Sequence, residues 1–435
     1  MSGSSGGAAL GAFDVVIVGA GPAGSSTAMH LAARAPHLRV AIVERQRIPR
    51  EKPCGGAVSR WGLDVLARLD ASPGQLGVPT IPIRAIRVRH GESVGEHVAA
   101  GAALGAVVRR DQFDAALARE SVRRGATLFE GRRLTALART GDRWTLSLEG
   151  ERAAASDRGE GLATLEARVV VGADGTGSAV RRLVGLAEEG PRARLIVLET
   201  AAVDGDDVHR VDGGVIEFDL SCVDDGIDGY VWHFATPLEG APGASVSRGI
   251  YDWRGRRPGD ALALRRALDA RLATRGVDLA AVRHKPYTER VFVGARAPLA
   301  TRDGVLLAGE AAGLVDPVTG EGIAQALASG ECAADATVRA LAAGGVDVDA
   351  YGRAIRGLRF HGHLRDARTL APLVYGARGS LWCAALARCP SAIAAGVDWY
   401  VGAPLGWGRK AAVGAALAAH ALGAATSPAL RASRS

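Results

Sequence analysis

Three spaced glycines carry the first recognisable chemistry in this chain. In VIVGAGPAGSS, Gly19, Gly21 and Gly24 form G-x-G-x-x-G. The first permits a tight turn, the second lets backbone approach a pyrophosphate, and the third lets a helix pack close to a strand. The helix beginning near Ala23 turns free N–H groups and a positive dipole end toward phosphate. Glu44 follows Gly24 by 20 residues, with Arg45 beside it. That is the distance expected for an acid that takes a ribose hydroxyl, so the pattern predicts a dinucleotide site. A second feature is RIPREKPCGGAVS, residues 47–59. Proline, Cys54, Gly55 and Gly56 make an irregular loop able to lie against a flat or charged group, with Arg50 and Lys52 nearby. The same residues also suit a small buried thiol in a turn.

These groups need elements to hold them. DVVIV is a short apolar run that suits a buried parallel strand. SSTAMHLAARA is a helix and RVAIVER a second strand, which together make a βαβ unit. Residues 113–124 read as an amphipathic helix closed by Gly125. TLFEGRRLTALART and RWTLSLEG alternate like strands, ERAAASDRGEGLATLE is small and polar like a hairpin loop, and ARVVVGADG is another buried strand. LIVLETAAV, GGVIEFDL, GYVWHFAT and ASVSRGIY then read as successive antiparallel strands. GVLLAGEAAG returns to the buried-strand pattern, a long helix follows, and the remainder is Ala-rich and helical. The expected organisation is a disordered leader (1–12), a dinucleotide-binding domain in two parts (13–189 and 296–345), an inserted antiparallel-sheet substrate domain (190–295) and a helical C-terminal region (346–435).

Composition narrows the class. The chain has 435 residues, 48% hydrophobic and 23% charged, with a net charge of +7. Its arginines are scattered rather than clustered, which does not favour nucleic acid. Five dispersed cysteines without a CxxC pair favour neither a disulfide framework nor zinc. The pair His361/His363 would diverge on a helix, so no metal site is expected. Asp219, Asp224 and Asp225 read as a solvated loop, and Trp382, Trp399 and Trp407 as core or surface anchors. The N-terminus lacks a signal-peptide pattern, and no run reaches the roughly 18 apolar residues of a spanning helix. The expectation is a cytoplasmic protein, with peripheral membrane contact through the C-terminal helix that follows Trp399, Tyr400, Trp407 and Lys410.

Taken together, the motifs resemble the geranylgeranyl reductase branch of the flavoproteins that share the p-hydroxybenzoate hydroxylase fold. KPCGG is similar to the branch's loop beside the flavin, which implies Cys54, Gly55 and Gly56 near the ring, with Cys54 as the candidate catalytic group. Arg110 in RRDQFD matches a cofactor-contacting arginine, and GADGTGSAVRR supplies Asp174 and Gly175 of the shared DG fingerprint. GEAAGLVDPVTGEGIAQALASG resembles the late fingerprint, which implies Glu310, Gly322 and Ile323 against the cofactor. Glu310 stands where the family usually has aspartate. GYVWHFATP resembles the reductases' Y-x-W-x-F-P segment and implies Tyr230, Trp232 and Phe234 at substrate, although Ala235 and Thr236 separate Phe234 from Pro237.

The resemblance implies a Rossmann-like α/β FAD-binding fold, FAD as cofactor, and NADH or NADPH as donor without a domain of its own. The altered WHFATP segment favours monooxygenation, with O2, of a lipophilic, prenylated aromatic such as a quinolone or quinone. KPCGG and GEGI favour the alternative, saturation of isoprenoid C=C bonds. A non-catalytic flavin carrier at a membrane surface is the third reading.

Overall fold

The computed structural model describes residues 8–150, 161–186, 192–204, 206, 214–238, 244–253, 260–281, 283–292, 298–376 and 378–425. Its centre is an eight-stranded sheet. Strand Ala8–Val18 lies between Leu162–Gly172 and Val40–Val43, parallel to both, and Val305–Leu307 and Thr127–Phe129 extend the parallel array on either side. Val15, Val16, Ile17, Ala41 and Ile42 are fully buried. A parallel sheet is covered on both faces, which explains why these strands are apolar throughout rather than alternating. One cover is a helix pair, Pro22–Arg34 and Ile323–Ala343. It packs through small residues: a Cβ at Gly330 would sit 2.6 Å from the Ala23 carbonyl oxygen. Ser26 Oγ donates to Leu327 O at 2.7 Å across the same seam.

The sheet revises two expectations. Residues 8–12, assigned to the leader, are strand: Ala8 pairs with Ala163, Ala9 with Thr164 and Gly11 with Leu165. Their Ala/Gly composition hides a strand whose pairing comes from a distant partner. That partner, Leu162–Gly172, also takes in the LATLE end of the expected loop and pairs antiparallel with Arg143–Gly150. The rest of that loop (151–160) and residues 1–7 lie outside the described residues, as do the expected boundaries at 190 and 296.

The second sheet has seven strands in the order Lys285–Arg290, Arg192–Ala201, Ser245–Asp252, Gly229–Thr236, Val215–Asp219, Ala85–His90, Ser93–Val98. The four sequence-predicted strands are present. The sheet is, however, neither wholly antiparallel nor drawn only from residues 190–295. Val215–Asp219 runs parallel to Ala85–His90, and the hairpin 85–98 arrives from within the first domain. Alternation in a sequence identifies a strand but does not name its partner. A separate three-stranded sheet of Ala57–Ser59, Gly105–Val108 and Thr80–Ile83 packs against the strand Gly229–Thr236 of the second sheet. Asp219 is also buried, not solvated, and accepts from Ser221 N at 2.9 Å to start a short helical turn. Asp224 meets His90 at 3.2 Å and Asp225 meets Arg271 at 2.6 Å.

The C-terminal region is helical: Val348–Gly357, Arg359–Val374, Gly379–Arg388, Pro390–Tyr400 and Trp407–Ala425. Gly379–Arg388 and Pro390–Tyr400 meet at 94° and cover the strand Ser93–Val98. At Gly95 a Cβ would lie 2.3 Å from Ile393 Cδ1, so the closeness of this cover depends on glycine. Among the described residues no single helix is long and apolar enough to cross a membrane. His361 packs on Phe292 and His363 on Trp399.

Candidate dinucleotide site

The sheet's strand ends open on a cleft of about 500 Å3. That is the crevice where open α/β sheets take ligands. The glycine turn forms one wall. Gly19 has φ 106°, and a Cβ there would lie 2.3 Å from the Ala173 carbonyl oxygen. A Cβ at Gly24 would lie 1.9 Å from the Gly19 oxygen. At Gly21 the nearest group to such a Cβ is Arg50 Nη2 at 3.5 Å, so a side chain there would project into the cleft. Gly21 precedes the helix Pro22–Arg34, which has no side-chain cap, and leaves its first N–H groups to the cleft wall with Ala23.

Glu44 stands at the end of its strand, buried. Its Oε2 accepts from Ala20 N at 3.1 Å and its Oε1 from Gln46 N at 3.0 Å, and Arg45 lines the cleft beside it. Arg50 Nε lies 3.4 Å from Glu44, and its Nη2 lies 3.3 Å from Asp114. Arg110 makes a two-point pair with Asp114 at 2.8 and 2.9 Å. Burial opposes the Arg110 charge, but Asp114 and Cys54 outweigh it and raise its pKa.

Across the cleft, Asp174 and Gly175 follow the strand Leu162–Gly172. Asp174 Oδ2 accepts from Val180 N at 3.1 Å, whereas Oδ1 is buried without a partner. Burial raises this carboxyl's pKa. Glu310 reaches the same wall, where its Oε2 lies 3.5 Å from Lys52 Nζ and 3.4 Å from the Tyr287 hydroxyl. Gly322 caps the helix that begins at Ile323, and both line the cleft.

The structure divides the KPCGG loop by task. Cys54 lines the cleft, and its Sγ accepts from Gly56 N at 3.4 Å. Gly56 has φ 80°, with room for no Cβ because the Val108 oxygen would lie 2.2 Å away. Gly55 faces the second sheet, where a Cβ would meet Phe234 at 2.8 Å and Trp232 Nε1 at 3.2 Å. Trp232 and Phe234 are therefore packed behind the loop and do not line the cleft. Tyr230 is buried too, its hydroxyl donating to the Thr319 carbonyl.

Among the cleft residues that sequence reasoning missed are Tyr287 and Glu289. They share a strand, Lys285–Arg290, and the two-residue period puts both on one face. Lys52 Nζ donates to the Tyr287 hydroxyl and lies 3.6 Å from that ring's centroid. Burial pulls the Lys52 pKa down, but Glu310 and Tyr287 outweigh it and raise it. Glu289 is 8% exposed, and its Oε2 has no hydrogen-bond partner. Burial, then Glu310, pushes its carboxyl up to about 8. Burial likewise pushes Glu321 in the GEGI turn up to about 8.

A strand–glycine–helix turn, an acid at ribose distance and an orphaned carboxylate oxygen, all in one cleft, fit a dinucleotide. A family model described as an FAD binding domain matches residues 12–330. The chain belongs to the FAD-binding flavoprotein family. It is an FAD-dependent oxidoreductase of the geranylgeranyl reductase-like branch. The digeranylgeranylglycerophospholipid reductase of Methanothrix thermoacetophila is 30% identical over 350 residues, which are 77% of this chain and 80% of that protein. Two solved structures share the fold. The geranylgeranyl bacteriochlorophyll reductase-like protein of Thermoplasma acidophilum has a TM-score of 0.61 at 21% identity, covering 94% of this chain and 96% of its own. The p-nitrophenol 4-monooxygenase of Pseudomonas putida has a TM-score of 0.65 at 18% identity, covering 91% and 100%.

Proposed function

We propose that this flavoprotein is a reductase that saturates isoprenoid C=C bonds of a prenylated lipid, with NADH or NADPH as electron donor. The observation that carries the reading is the 30% identity spread over 80% of a digeranylgeranylglycerophospholipid reductase. The monooxygenase neighbour supports the fold alone, so the weight moves from the monooxygenation expected from WHFATP to the reductase alternative. When bound, the flavin supplies a hydride equivalent. Saturating a C=C bond also needs one proton, and Cys54 is the thiol that lines the cleft at that loop. Behind it, Gly55 abuts the aromatic layer of Trp232 and Phe234, which form an apolar backing at the loop.

The test is anaerobic turnover with NADH, NADPH or dithionite and a panel of geranylgeranyl lipids and prenylated quinones. A product heavier by two hydrogens, formed without O2, is the expected outcome. A product heavier by one oxygen atom, formed only after O2 is admitted, overturns the reductase reading in favour of monooxygenation. Cys54→Ala is expected to slow turnover by about 100-fold, the usual size of a proton-transfer contribution. Wild-type turnover in that variant removes Cys54 from the chemistry.

A further inference from the structure

Glu289 sits where a buried acid has no structural reason to be. It lies on the strand Lys285–Arg290 opposite Ala193, lines the cleft, and is almost completely enclosed. Its Oε2 has no hydrogen-bond partner. A buried, unpaired carboxylate costs several kcal/mol, so such positions are normally apolar or fully bonded. The charged and titratable groups that act on it come from several elements. Glu310 repels its charge, while Lys52 and Arg110 attract it. Tyr230, on another strand of the same sheet, feels Glu289 in turn, as do Tyr251 and Tyr287. Lys52 is already engaged by Tyr287 and Glu310, and Arg110 by Asp114. Neither cation is Glu289's own partner.

We propose that Glu289, in alkaline solution where it is ionised in the oxidised protein, takes up one proton in step with reduction of the bound flavin, coupling a proton to the electrons the cofactor receives. The physical basis is linkage. Added negative charge in the same cleft disfavours a second negative charge on the enclosed Glu289 and favours its neutral form. The electrons come from the two-electron reductant (a reduced nicotinamide, or dithionite in the test), and the proton comes from solvent. On reoxidation the proton returns to solvent, and no covalent bond of the chain changes except the carboxyl O–H. The inference rests on flavin binding alone and not on which substrate is reduced.

The experiment has two readouts. The first uses protein without flavin: carboxyl-labelled glutamate followed by NMR against pH, with the Glu289 signal assigned by its loss in E289Q. The signal is expected to remain protonated at neutral pH and to titrate near the value of about 8 set by burial. The second is the midpoint potential of the holoprotein against pH. The wild type should show an added downward slope beginning at or above pH 8, and E289Q should lack it. E289D keeps a carboxyl and should keep the added slope at a shifted pH. A Glu289 signal ionised at neutral pH, an E289Q plot that retains the slope, or an E289D plot superposing on the wild type overturns the proposal. Should E289Q fail to fold, E289D supplies both readouts.

Discussion

At the scale of single residues, the dinucleotide turn is decided by distances shorter than any side chain allows. Gly24 makes the point most sharply, because its α-hydrogen side faces the Gly19 oxygen at a spacing that a Cβ would reduce to 1.9 Å. Gly24→Ala must push the helix Pro22–Arg34 off its strand. The expected outcome is a loss of roughly 1–3 kcal/mol of stability, as overpacking usually costs. FAD affinity should fall with it. Denaturant melts and flavin-fluorescence titration measure the two, and unchanged values in both would remove the close-packing account of this glycine. Glu310 shows the opposite tolerance. It stands where the family usually has aspartate, and the extra methylene is accommodated because Lys52 and Tyr287 meet its Oε2 at the cleft wall.

At the scale of elements, the loop between strand Val305–Leu307 and helix Ile323–Ala343 is held from three sides. Asp316 Oδ1 accepts from Val318 N and Thr319 N at 2.7 and 3.0 Å, which shapes the turn internally. Tyr230 and Tyr251 of the second sheet donate to the Thr319 and Pro317 carbonyls. Tyr375 and Trp399 of the C-terminal helices donate to the Val318 carbonyl at 2.7 Å and to Asp316 Oδ2 at 2.9 Å. The loop ends at Glu321, Gly322 and Ile323, which line the cleft, so both the second sheet and the C-terminal helices set one wall of the cofactor site. Tyr375→Phe removes one part-buried hydrogen bond and should cost about 1 kcal/mol of stability, and Trp399→Phe should cost more, because it also leaves the buried Asp316 carboxyl short of a donor and its ring fills less space. The more telling readout is FAD affinity, expected to weaken in both variants although neither residue lines the cleft. Wild-type FAD affinity in both would show that the C-terminal helices do not position the loop.

At the scale of the whole molecule, the cleft shapes the pH dependence of folding. Glu289 and Glu321 both have folded-state values pushed up to about 8 by burial, from about 4.5. A raised folded-state pKa means the native state holds protons that the unfolded chain has released. The stability from these groups is therefore complete below about pH 4.5 and is lost as pH rises through about 8. On the acid side, His30 is pulled down to about 4 by burial, so its contribution is present above its ordinary value of 6.5 and is lost as pH falls toward 4. Above pH 6.5 the two acids act without that opposition, and the flavin-free protein should lose stability between pH 6.5 and 8. E289Q should flatten this fall. Melting temperatures across that window measure it, and equal slopes in the two proteins would show that Glu289 ionises alike in folded and unfolded chains.

Much of the cofactor half was legible because its chemistry is local. G-x-G-x-x-G, Glu44 and the apolar strands lie within one βαβ unit, where spacing along the chain is spacing in space. The DG and GEGI segments were legible only through resemblance, since their nearness to Gly19 arises from strand pairing across more than a hundred residues. Other features left no local trace. The pairing of residues 8–12 depends on residues 163–166, and the seventh and sixth strands of the second sheet come from 85–98. Tyr230, Trp232 and Phe234 alternate in sequence as a strand should. Only the fold decides that Trp232 and Phe234 back Gly55 while Tyr230 ties down the Thr319 carbonyl. Glu289 is the limiting case. In sequence it is one charged residue in KPYTER, and its unpaired oxygen, its burial and its place beside Lys52 and Glu310 come wholly from tertiary structure. Backbone propensity and glycine sterics act over a few residues and can be read from order alone. Burial and electrostatics depend on what distant segments bring together, and these decided which acids and aromatics belong to the site.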